Sequence, residues 1–154
     1  MRSIAAATLL CFTACTPSLH KPDFRQLPFR ITADPQIYEA GALGRKVQLM
    51  EPDDVFHPSE WRGPLRILGD TKQMPSCTAS LSSVRAVYAS RDVGYLLVVN
   101  HSGPDRFAHF VDLHSCREVW PPLKSQVPIQ VTGDAIQIEA GQWLRLFNES
   151  PPNL

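Results

Sequence analysis

The stretch VPIQVTGDAIQIEA, Val127 to Ala140, constrains the fold more than any other. Two alternating runs flank Gly133-Asp134, and a two-residue Gly-Asp connection between such runs is a hairpin signal. Closing the chain on that dipeptide pairs Thr132 with Ala135, Val131 with Ile136, Gln130 with Gln137 and Ile129 with Ile138. Directly paired residues share a face of the sheet. Ile129, Val131, Ile136 and Ile138 therefore gather on one side and both glutamines on the other, and this agreement of turn and pattern specifies the register. With Ala140-Gly141-Gln142 as a three-residue second loop, Ile138 meets Leu144, Ile136 meets Leu146 and Gln137 meets Arg145. The last strands then form a meander with one apolar face, which the rest of the chain must cover.

The rest of the chain offers further strands. RKVQLM alternates with Val47 and Leu49 inward, PFRITA with Phe29 and Ile31 inward, and PLRIL is a short run that starts at a proline. SVRAVYAS and GYLLVVN are the strongest candidates, and the unbroken apolar run Tyr95 to Val99 suggests a central strand buried on both faces. HSGPD turns into RFAHFVDL. The 14 prolines among 154 residues are nearly twice the usual ~5% and argue against long helices. The loop EPDDVFHPSEWRG is polar and broken by prolines, with room for one helical turn at Ser59 to Arg62. A propeller needs about four blades of ~40 residues, which this chain cannot hold, and no repeat is present. The pattern predicts a mainly β protein, a small antiparallel β-sandwich or barrel with a C-terminal meander.

The N-terminus reads Met1-Arg2-Ser3, then a small and apolar run from Ile4 to Cys15. It has the length of a signal-peptide core and falls short of the ~20 apolar residues that span a bilayer. Its end, Phe12-Thr13-Ala14-Cys15, resembles the lipobox of bacterial lipoproteins, with Phe12 where leucine is usual. The resemblance implies cleavage before Cys15, a thioether-linked diacylglyceryl group on that thiol and acylation of the new amine. Several acyl chains anchor stably where one does not. Thr16 after the anchor resembles the outer-membrane default, facing the periplasm; ordinary secretion with cleavage nearby is the alternative.

On this reading residues 1–14 are a signal peptide, 15–26 the lipidated end and a flexible tether, 27–148 a single β-rich domain, and 149–154 a disordered tail. Arg2 leaves with the signal peptide, so 14 basic face 15 acidic side chains, a formal charge of −1. That balance gives no basic field for nucleic acid. Of the cysteines that remain, Cys15 is committed to lipid and Cys11 is discarded. Cys77 and Cys116 are left as a pair, expected as a disulfide in an oxidising compartment. Two buried free thiols are the alternative.

Chemical motifs are scarce. No glycine-rich phosphate loop, Gly-x-Ser-x-Gly elbow or His-Glu-x-x-His is present, and no cofactor is implied. His109, Asp112, His114 and Cys116 crowd nitrogen, oxygen and sulfur together, but a strand sends His109 and Asp112 to opposite faces. Ser82, Ser83 and Ser102 lie near His101 in sequence without a spaced acid, and read as turn residues. Asn100-His101-Ser102 and Asn148-Glu149-Ser150 match a glycosylation sequon that matters only in a eukaryotic secretory route. The loop with Glu51, Asp53, Asp54, His57 and Glu60 lacks calcium-loop spacing. Asp53, Asp54, His57 and Trp61 are its candidate contact residues.

These features point to a non-enzymatic envelope lipoprotein with no metal and no cofactor, attached to the membrane through Cys15, that binds an envelope protein or a cell-wall partner. The alternative is an inhibitor or immunity protein that neutralises an envelope-acting toxin or lytic enzyme. A hydrolase built around His57 is a third class.

Overall fold

The computed structural model describes residues 22–69, 75–91 and 93–146. Cys15, the expected signal peptide at 1–14 and the expected tail at 149–154 lie outside these residues. The described strands are, in chain order, β1 (Arg25–Gln26), β2 (Arg30–Ile31), β3 (Ile37–Ala42), β4 (Arg45–Met50), β5 (Leu65–Leu68), β6 (Cys77–Ala79), β7 (Val84–Ala89), β8 (Tyr95–Ser102), β9 (Asp105–Asp112), β10 (Leu123–Ser125), β11 (Gln130–Thr132), β12 (Ala135–Glu139) and β13 (Gln142–Arg145). No helix occurs among the described residues. The strands form three antiparallel sheets, ordered β2-β3-β4-β5-β6, β1-β7-β8-β9-β10 and β11-β12-β13, none of them closed into a barrel.

The unbroken apolar run in β8 explains the layering. Leu96 pairs with Val111 and Leu97 with Phe110, so neighbouring residues alternate between two faces. Leu96, Val98 and Val111 join Val47, Leu49, Leu65 and Ile67 of the first sheet in one core. Leu97, Ala108 and Phe110 face the other way and pack with Ile136 and Leu146 in a second. The β8 sheet is thus the middle of three layers, covered on both faces as its sequence predicts.

The first meander hairpin has the expected register: Gln130 opposite Gln137, Val131 opposite Ile136 and Thr132 opposite Ala135. Gly133 turns at φ 58°, in the left-handed region that glycine tolerates. The second hairpin differs from expectation. Glu139 pairs with Gln142 around a two-residue turn, and a bulge between Gln137 and Glu139 then sets Ile136 opposite Leu144 and Ala135 opposite Arg145. The bulge absorbs one residue, which a two-residue turn alone cannot do, and keeps Ile136 and Leu144 on the same face. At the bulge, the Ser125 hydroxyl meets the Ile138 carbonyl at 2.6 Å. Ile129, Val131, Ile136, Ile138, Leu144 and Leu146 all join the second core, so the predicted apolar face holds.

Three local expectations are corrected. The tether ends earlier than residue 26: Phe24 is 3% exposed, its N–H donates to Gly133 O, and β1 pairs with β7. The Phe24 ring reaches Tyr95 with a centroid distance of 6.1 Å, so an aromatic in a proline-flanked stretch closes the second core. Just before β2, Phe29 packs on the first core, but Ile31 of β2 is 47% exposed because that strand is a short edge. No helical turn forms at Ser59 to Arg62. Trp61 instead exchanges backbone hydrogen bonds with Val84, which draws that segment into an extended course.

Two links tie the first sheet to the middle one. Cys77 and Cys116 form a disulfide with Cα atoms 5.7 Å apart, closing 39 positions of chain. Loop-closure entropy gives such a crosslink on the order of 4 kcal/mol. Arg45, on the same face as Val47 and Leu49, is buried and donates to the carbonyls of Leu113, of Pro75 at 2.7 Å and of Leu68 at 3.5 Å. A guanidinium has five N–H donors and satisfies several carbonyls at once.

Candidate contact loop

Residues 52–61 leave the first sheet after β4 and return to β5 through a laced neck. Gly63 N–H donates to Met50 O, Arg62 N–H to Glu51 O and Asp53 N–H to Glu60 O. A Cβ on Gly63 would lie 2.9 Å from Met50 O, so the close approach of the two arms requires glycine. Above the neck the chain has no ladder, and its backbone donors must find other acceptors.

The two aspartates supply them. Asp53 Oδ1 accepts from the N–H groups of Asp54, Ser59 and Glu60 at 2.9–3.0 Å, and Oδ2 accepts from the Ser59 hydroxyl at 2.7 Å. The Ser59 hydroxyl and the converging N–H groups hold the Asp53 carboxyl down to about 2. Asp54 Oδ1 accepts from His57 N–H at 2.9 Å and Phe56 N–H at 2.8 Å, and those bonds lower its carboxyl as well. These carboxylates are spent on the backbone of their own loop.

The loop is also fastened to its neighbours. Glu60 Oε2 lies 2.7 Å from His101 Nε2 and 3.8 Å from the Arg85 guanidinium. The His101 bond first, then a bond from the Ser83 hydroxyl, holds the Glu60 carboxyl below its ordinary value. Tyr38 Oη donates to Val55 O. One residue further on, Phe56 is 81% exposed, the most exposed large apolar side chain of the described residues.

The expected contact residues separate. Asp53, Asp54 and His57 are on the loop, and His57 is exposed at its tip. Trp61, the aromatic expected to make contact, is 8% exposed and packs edge-on against Tyr38 at 5.7 Å and beside Phe29 at 5.9 Å. Phe56 is the aromatic that the loop exposes instead. The sequence signal for Phe56 is its position: an aromatic between Asp54 and Pro58, outside any alternating run, has no sheet face to enter.

The other candidates resolve into structural roles. His109 is buried between Asn100 Oδ1 and Glu118 Oε1, each 3.0 Å from a ring nitrogen. Asp112 accepts from the N–H groups of His114 and Ser115 in a turn, His114 is exposed, and Cys116 is in the disulfide. No cluster of His, Cys, Asp or Glu placed to hold a metal occurs among the described residues. Glu60 is the acid that His101 lacked in the sequence, but Ser83 donates to that same carboxylate. An open groove of about 670 Å³ beside β1, lined by Arg25, Leu27, Leu43 and Arg91 among others, has no histidine or cysteine in its wall.

Compared with known proteins, the chain matches no family model and no curated protein sequence.

Proposed function

We propose that the chain is a non-enzymatic binding module of the bacterial envelope, tethered at the outer membrane by acyl chains on Cys15 and binding a protein partner through residues 52–61. The observation that carries this reading is Phe56, 81% exposed on a loop whose backbone is already hydrogen-bonded in place. An aromatic anchor on a pre-ordered loop loses little conformational freedom on binding and fills a partner's pocket, which is how interface hot spots work. The lipobox resemblance of Phe12 to Cys15 supports the envelope setting.

A second reading, an inhibitor or immunity protein for an envelope-acting toxin or lytic enzyme, draws on the same loop. An exposed aromatic at the tip of a protruding, pre-ordered loop suits a concave site on such an enzyme. Co-purification of the detergent-solubilised acylated protein tests both. A partner held by the wild type and lost from Phe56→Ala supports the loop, and loss of an enzymatic activity on binding selects the inhibitor. A partner retained by Phe56→Ala at wild-type yield contradicts both.

A further inference from the structure

We propose that the solvent face of the meander binds the glycan strands of peptidoglycan. The pairing of β11, β12 and β13 sets Gln130, Gln137 and Trp143 in one row across the sheet, with Thr132, Ala135 and Arg145 in a parallel row. Ile136 and Leu144 point into the second core, so the residues that alternate with them face outward. Trp143 is 46% exposed, and Gln130 and Arg145 are exposed beside it. No side-chain hydrogen bond or ion pair to another described residue engages Gln130, Gln137, Trp143 or Arg145.

This set suits a sugar polymer. An indole presents a flat apolar surface that stacks on the C–H face of a pyranose. Each glutamine amide both donates and accepts, as hydroxyl and N-acetyl groups require. Two strand spacings give the row a span of about 10 Å, the length of a disaccharide. Arg145 is the one ionised side chain of the two rows, and its guanidinium complements the carboxylates that stem peptides carry along a peptidoglycan strand. The inference shares the envelope setting with the reading above and is independent of the loop, which lies on the first sheet.

Co-sedimentation of the detergent-solubilised full-length protein with purified sacculi tests it, with amylose as the control polymer. The wild type is expected to pellet with sacculi and not with amylose. Trp143→Ala is expected to weaken binding about tenfold, Gln137→Ala to weaken it less, and Trp143→Phe to retain most of it. Arg145→Gln is expected to reduce the salt dependence, and Phe56→Ala to leave binding unchanged. Unchanged urea midpoints show that the variants are folded. Absence of pelleting, equal pelleting with amylose, or wild-type binding by both Trp143→Ala and Gln137→Ala overturns the inference, whereas the loop reading then still stands on its own partner.

Discussion

Glu60 and His101, 41 positions apart, meet at 2.7 Å through Oε2 and Nε2. This contact fastens the return arm of the 52–61 loop to β8, while Asp53 holds the same arm from within through Ser59 and Glu60. The loop is therefore ordered from two sides before any partner arrives. Glu60→Gln keeps the size and removes the charge, and the lost charge-assisted bond is expected to cost about 1–2 kcal/mol. Hydrogen exchange checks the location: the amides of Ser59 and Glu60 should exchange faster, while those of β8 keep their wild-type protection.

Acid should loosen the loop at Asp53. Its carboxyl is lowered from 3.8 to about 2, so its stabilising effect is fully present above the unfolded value and is lost as the pH falls through the folded one. Asp53→Asn removes that titration. Between pH 4 and pH 2 the wild-type thermal midpoint is expected to fall more steeply than that of Asp53→Asn. Parallel pH profiles would show that the carboxylate does not hold the loop.

The meander gives a test of face. Ile136 is fully buried, and Gln137 beside it points the other way. Ile136→Ala is expected to cost about 2–5 kcal/mol and Gln137→Ala less than about 0.5 kcal/mol. Urea midpoints, compared at equal slopes, measure both.

The reach of the sequence can be judged at these same residues. Period-two alternation around Gly133-Asp134 shows the first hairpin, and the apolar run of β8 shows that its sheet is covered twice. Both signals are local and depend on few choices. The bulge at Ile138 was not legible, because turn length and bulge compensate and only packing on the second core decides between them. Phe24 reads as tether because its neighbours are polar and proline-rich, and what fixes it is a bridge to Gly133, remote in sequence. At the loop, the aspartates were visible but their targets were not, since a carboxylate that caps its own backbone looks in sequence like one facing solvent. Trp61 and Phe56 are both aromatics in a polar stretch. Only the Val84 bridge turns Trp61 inward and leaves Phe56 outside.

The anchor is testable in cells. Cys15→Ser is expected to abolish incorporation of a fatty-acid probe and to release the protein from the membrane fraction, with the folded domain unchanged. Equal labelling of mutant and wild type would contradict lipidation at Cys15.

Site-specific photo-crosslinking in living cells tests the binding role of the loop most directly. A benzophenone amino acid is placed at Phe56 and, in a second strain, at Ile31, which is also exposed but lies on an edge strand. The account predicts a discrete adduct of one partner from position 56 and none from position 31. No adduct from position 56, or the same adduct from both positions, would contradict it.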